Sequence, residues 1–237
     1  MAWFGHEVEI HRKKMKTMRL KIIPPEGFIR ISAPHYLPEQ AIFQFMQKNL
    51  AWIAERQAVM AKEKSQAPNF LQGEQHPVWG ELFELDFTPI MGKPSIRELP
   101  NNKLEILAPN NVTTHVREKL LDEFYRRQLK RELPLLLEKW QPIVGKEVNE
   151  WGIKKMRTRW GTCNIQAKRI WLSLALAKKP KSCLEYVLVH ELVHLHERYH
   201  NQNFKRLMTK FMPDWPTHDA RLNQADLPDS TGVPLDL

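Results

Sequence analysis

Residues 184–195 place apolar side chains around nearly the whole circumference of a helix. At 100° per residue, Leu184, Val187, Leu188, Val189, Leu192, Val193 and Leu195 leave little polar surface, and an all-round apolar helix is a buried one. Ser182, with Glu185 three residues later and Lys179-Pro180 just before, reads as a capping box that starts it. Yet His190 and His194 sit on this helix one turn apart, on one stripe. Two imidazoles in a core need partners, because each buried unsatisfied polar group costs ~1–3 kcal/mol. Whatever fold buries the helix must supply them.

Histidines at i and i+4 bring their ring nitrogens within reach of one metal ion, at ~2.0–2.1 Å for zinc. Glu191 is rotated off the histidine stripe, where it can hold a metal-activated water rather than bind the metal. The segment His190-Glu191-Leu192-Val193-His194 is thus the HExxH arrangement of zinc hydrolases. A carboxylate in that position takes the water's proton and passes it to the leaving group. The competing reading is a pair of core histidines satisfied by backbone carbonyls or through water. Three residues are candidates for a third ligand. His200 lies past an expected helix break near Arg198–Tyr199. Glu197, i+3 from His194, shares the stripe and could ligate or stand behind a ligand. His218 lies further on, in the Asp214–Asp219 loop. His196 points elsewhere and reads as a surface or capping residue.

Upstream, alternation of period two at Val8 and Ile10, at Met18, Leu20 and Ile22, and at Phe28 and Ile31 predicts short strands, with Pro24-Pro25-Glu26-Gly27 as a turn. Pro38 suits a first helical position, and Ile42, Phe45, Met46 and Ile53 continue at helical spacing. Residues 62–76 read as a connector. Strands follow at Phe83–Phe87 and Leu104–Leu107, then a long amphipathic helix from Thr113 to Trp140 with a kink or break at Pro134. On its polar side, Arg126, Arg127, Lys130 and Arg131 read as a solvated face. Met156–Asn164 and Arg169–Ala175 predict two strands joined by a tight turn. No internal repeat is visible. The expected organisation is a β-rich module with one helix over 1–110, a metal-binding catalytic domain over 111–225 and a mobile tail over 226–237.

The 237 residues carry a net charge of +9. The surplus is spread: residues 1–30 hold seven basic and three acidic side chains, whereas five aspartates face Arg221 alone after Met212. Such a balance reads as general surface rather than a nucleic-acid stripe, which needs clustering on one face. Cys163 and Cys183 are the two cysteines. They make no disulfide framework and no C-x-x-C, so a reducing, cytoplasmic setting with no membrane association is expected. Cys163 reads as a small structural residue rather than a nucleophile.

These segments together resemble the YgjP-type metal-dependent hydrolases (the former DUF45 group). That group is related to small gluzincin-like peptidases and more loosely to SprT-like and WLM metalloproteases. The resemblance is carried by Arg159-Trp160-Gly161-Thr162-Cys163, with threonine where the family has serine. Ile170–Leu176, Pro180–Leu195 with Tyr186 and Val187, and His200 with Phe204 add to it; Pro34, Trp52-Ile53 and Gly80 also fit. The resemblance implies zinc held by His190, His194 and His200, Glu191 as general base, and a zincin-like α+β fold. In that fold a small, mostly antiparallel sheet packs on helices that include the buried metal helix. Arg159, Trp160, Gly161 and Thr162 are candidate substrate-binding residues, since an edge strand beside a metal helix can hold an extended chain. The competing reading makes Trp160 core and Gly161 a hinge.

The leading expectation is a zinc-dependent hydrolase, most simply a metallopeptidase. The same chemistry on a phosphoanhydride would make a nucleotide pyrophosphatase acting on UTP-like substrates; the charge and the alternating Lys154, Lys155, Arg157 and Arg159 motivate it. A SprT-like metal module associated with DNA is a third, non-catalytic possibility, by analogy alone. Peptides, phosphorylated small molecules and, more weakly, nucleic acid are the corresponding partners.

Overall fold

The computed structural model describes residues 2–23, 27–65, 68–156 and 158–223; the side chains of 60–65 are not described. Pro24–Glu26 of the expected turn, Arg157 and the expected mobile tail lie outside the described residues. The chain forms two compact units, Met1–Pro68 and Asn69–Leu237, dividing earlier than the expected 110/111 boundary.

The first unit opens with β1 (Ala2–Trp3), β2 (His6–Lys13), β3 (Arg19–Ile23) and β4 (Phe28–Pro34), in the order β1-β2-β4-β3. Strand β2 runs parallel to β4, and the other neighbours are antiparallel. Ile29, Ile31 and Ala33 point inward from β4 and meet Val8, Ile42, Met46 and Ile53, so Ile31 is in the core as expected, whereas Phe28, an odd number of positions away, is only half-buried. The expected single helix is two, α1 (Glu39–Lys48) and α2 (Leu50–Ser65), and Pro38 is the extended residue before α1. Asn49 makes the break, its Nδ2 donating to the Phe45 carbonyl at 2.7 Å. A side chain that bonds the preceding turn competes with helix continuation.

The second unit repeats the strand plan. Strands β5 (Gln75–Val78), β6 (Glu81–Pro89), β7 (Ser95–Leu99) and β8 (Lys103–Ala108) lie in the order β5-β6-β8-β7. Again the second and fourth are parallel and the others antiparallel. A repeat of topology thus exists where none shows in the sequence, because only inward alternation needs keeping. These strands share one core with the helix that follows, and for this reason residues 69–110 fall in the second unit. Leu85, Leu104 and Ile106 lie in one buried cluster with Leu121, Phe124 and Leu129, and the Tyr125 hydroxyl donates to the Pro77 carbonyl at 2.9 Å.

That helix, α3 (Thr114–Val144), starts at Thr113, whose hydroxyl accepts from Val116 N, and closes at Gly145 in the left-handed region. Of the kink or break expected at Pro134, the break does not occur: the helix continues through Pro134 and Pro142. Leu133, Leu137 and Trp140 are buried on either side of Pro134, so packing holds the helix where a hydrogen bond is missing. Its arginines are not simply solvated. Arg126 donates to the Ile153 carbonyl at 2.6 Å and Arg127 to the Ile96 carbonyl at 2.9 Å.

A three-stranded sheet follows, β9 (Glu150–Lys154), β10 (Gly161–Asn164) and β11 (Arg169–Ser173), ordered β10-β11-β9. The expected hairpin is present as β10 and β11, with the first strand starting at Gly161 instead of Met156. Strand β9, parallel to β11, was not foreseen. A 3-10 turn (Leu174–Lys178) leads into α4 (Lys181–Val193), α5 (Gln202–Phe211) and α6 (Trp215–Asn223). The molecule is therefore mixed α and β, with three small sheets each containing one parallel pair among the described residues. No helix among the described residues is long and apolar enough to cross a membrane.

Candidate metal centre

Helix α4 is buried along its length, from Cys183 to Val193 except Glu185, as its all-round apolarity requires. The expected capping box does not form. The helix starts behind Pro180 with no side-chain cap, and Glu185 instead accepts from Lys139 Nζ at 2.6 Å and Trp140 Nε1 at 2.7 Å. The α3 surface thus takes the carboxylate. The tip of the β5–β6 hairpin buttresses the start of α4. Trp79 N and Gly80 N donate to the Ala177 and Lys178 carbonyls, and a Cβ on Gly80 would stand 2.8 Å from Pro180 Cγ.

After Val193 the helix ends on His194, and a turn brings the chain back so that His200 meets the first two histidines. The three Nε2 atoms form a nearly equilateral triangle: 3.0 Å from His190 to His200, 3.1 Å from His190 to His194, and 3.0 Å from His194 to His200. Hydrogen bonds cannot account for this triangle, because each Nε2 carries at most one proton, aimed in one direction. Three lone pairs converging on one point are what a cation collects. About 3.3 Å separates ligand nitrogens around a tetrahedral ion at ~2.0–2.1 Å, close to what is seen. His194 Nδ1–H donates to the Glu197 carbonyl at 3.0 Å, which leaves its Nε2 as the acceptor. Phe204 packs against all three rings, with centroids 4.7–4.8 Å away.

The other candidate ligands are engaged elsewhere. Glu197 Oε1 accepts from Tyr199 N at 3.2 Å and Oε2 from Asn203 Nδ2 at 3.1 Å, bonds that shape the turn and hold the carboxyl below its ordinary range. His218 pairs with Asp214 at 3.0 Å. The His196 ring bonds the Val144 carbonyl at 2.8 Å, capping the end of α3.

Glu191 is buried beside the histidines, and its Oε2 meets no hydrogen-bond donor among the described residues. A buried carboxylate oxygen without a donor is costly, and a cation or water held between the rings would satisfy it. Across from it stands Gly161, the first residue of β10. A Cβ there would lie 2.5 Å from Glu191 Oε1, 2.8 Å from Cγ and 2.9 Å from Cδ. The missing side chain of Gly161 is the space the carboxylate occupies. This contact has no signal in the linear sequence.

The histidines and Glu191 open onto a cleft of about 740 Å³ whose other wall is Arg159 to Gln166, so Arg159, Trp160, Gly161 and Thr162 all line it. Arg198 and Tyr186 line it too, and neither was singled out from the sequence as a site residue. The Tyr186 hydroxyl donates to Asp219 at 3.1 Å. Lys154 and Lys155 are not among the residues lining the cleft. Lys154 Nζ lies 3.8 Å from the Trp171 ring centre, and Lys155 pairs with Glu118 and Asp122. Burial, helped by the charge of Glu191, pushes the Cys163 thiol up to about 12, so the thiolate a nucleophile needs is scarce.

Burial, with the neighbouring imidazoles adding to it, holds His190 down to about 2; burial also lowers His194 and His200. Burial pushes Glu191 the other way, up to about 8, with Arg159 opposing. In metal-free protein an unfolded histidine takes its proton near 6.5 while the folded ones resist, so stability is lost as pH falls below 6.5. Glu191 works in the opposite sense, its contribution fading as pH rises through about 8. Three imidazoles outweigh one carboxyl. The melting temperature of chelator-treated protein is therefore expected to fall by several degrees between about pH 7 and about pH 5; a rise over that interval contradicts the burial of neutral histidines.

No curated protein matches the chain. Among solved structures, the crystal structure of the metallopeptidase zymogen of Pyrococcus abyssi abylysin is similar at 25% identity, over 37% of this chain and 88% of that one, with a TM-score of 0.34. The family model described as YgjP-like, metallopeptidase domain, matches residues 16–225, a span that holds the three histidines, Glu191 and Gly161. The chain therefore belongs to the YgjP-like family and carries its metallopeptidase domain.

Proposed function

We propose that this protein is a zinc-dependent peptidase of zincin-like architecture, with His190, His194 and His200 as the ligands and Glu191 as general base. The triangle of Nε2 atoms at 3.0–3.1 Å, opening onto a cleft beside a buried glutamate, carries this reading. When bound, zinc supplies a Lewis acid for the substrate carbonyl and lowers the pKa of water. Burial raises Glu191 in the metal-free protein, and a cation between the histidines would favour its carboxylate form, which can accept a proton and deliver it to the leaving amine in the same turnover. His194 is kept in its binding tautomer by the Glu197 carbonyl. Strand β10 is the outer strand of its sheet, and its residues line the cleft. An extended peptide can pair with that free edge.

This edge, and the engagement of Lys154 and Lys155 elsewhere, favour a peptide over a nucleotide. The test is to offer zinc-loaded protein casein and nucleoside triphosphates in parallel. Peptide-bond cleavage is expected; pyrophosphate release without cleavage overturns the peptidase reading. Gly161→Ala should lower turnover on the order of 100-fold, because the new Cβ displaces the Glu191 carboxylate by about 1 Å and it loses its alignment. Metal content should not change. Turnover within twofold of the parent protein would show that the carboxylate does not depend on this gap.

A further inference from the structure

Two guanidinium groups reach the cleft from different parts of the fold. Arg159 stands just before β10, on the wall facing Glu191, and Arg198 lies in the turn between α4 and α5 that carries His200 inward. Both side chains belong to exposed residues. The single carboxylate among the residues lining the cleft is Glu191, which is buried at its floor. Other cations of the unit are spent on the protein itself: Lys155 on Glu118 and Asp122, Arg169 on Glu150, Lys181 on Glu132. Arg159 and Arg198 form no ion pair among the described residues, and Arg198 lies over the Tyr199 ring at 5.5 Å. Arginines left unpaired at the mouth of a cleft offer planar, bidentate donors that suit a carboxylate.

We propose, on the basis of the peptidase reading, that Arg159 and Arg198 select substrates bearing a carboxylate close to the scissile bond. The carboxylate is either an aspartate or glutamate side chain or the free C-terminus of a short peptide.

Matched peptides decide it. One set carries Glu or Gln at successive positions around one cleavable bond, and another ends in a free acid or an amide the same distance from it. Zinc-loaded protein should cleave the acid member of a pair with at least ~10-fold higher kcat/KM, a ratio that shrinks as ionic strength rises. The responding set identifies which carboxylate is recognised. Arg159→Gln and Arg198→Gln should each bring the acid-to-amide ratio toward one. Equal cleavage of acid and amide in both sets overturns the inference while leaving the peptidase reading intact; cleavage of no peptide overturns both.

Discussion

Glu191→Gln is expected to lower peptide hydrolysis by ~10²–10⁴-fold while the protein keeps its metal. Glutamine has the shape of glutamate and fits the same gap opposite Gly161, so packing should survive. What it cannot do is accept a proton. Glu191 is the single carboxylate among the residues lining the cleft, so no other one there can take over. Turnover and metal content measured on the same preparation check the claim. Full activity in Glu191→Gln would falsify the general-base assignment whatever the substrate.

The second large effect concerns the third ligand. His200→Ala should weaken metal binding by more than the ~10–100-fold typical when a partner behind a ligand is lost, and abolish hydrolysis with it. Glu197→Gln and His218→Ala are the discriminating controls. The Glu197 side chain ties Tyr199 N and Asn203, and His218 pairs with Asp214, so neither variant should release the metal. Competition with a chromophoric chelator measures all three affinities. A His200 variant that binds as tightly as the parent, beside a Glu197 or His218 variant that does not, would reassign the ligand.

Much of this site is legible in the sequence because local rules decide it. Helix α4 announces itself by being apolar all round, and the i, i+4 spacing puts His190 and His194 on one stripe whatever surrounds them. Spacing alone left His200, Glu197 and His218 open, because a turn of non-periodic residues decides which of them returns to the helix. In the fold the turn brings His200 to the pair, while Glu197 bonds Tyr199 and Asn203 and His218 bonds Asp214. Inward alternation in β2, β4, β6 and β8 is equally local. Less legible are features set by contacts distant in the chain. Glu185 reads as a capping partner for Ser182 until Lys139 and Trp140 of α3 arrive to claim it. Pro134 reads as a kink or break because the core that keeps α3 continuous is contributed in part by other segments. The meeting of Gly161 with Glu191, thirty positions apart, leaves no pattern in either neighbourhood.

The most direct measurement is metal stoichiometry. Purified protein, loaded with zinc and freed of excess by gel filtration, should hold one equivalent per chain by elemental mass spectrometry, and His194→Ala should hold none. A parent protein that retains no zinc, or a His194→Ala variant that retains a full equivalent, contradicts a centre built from these three imidazoles.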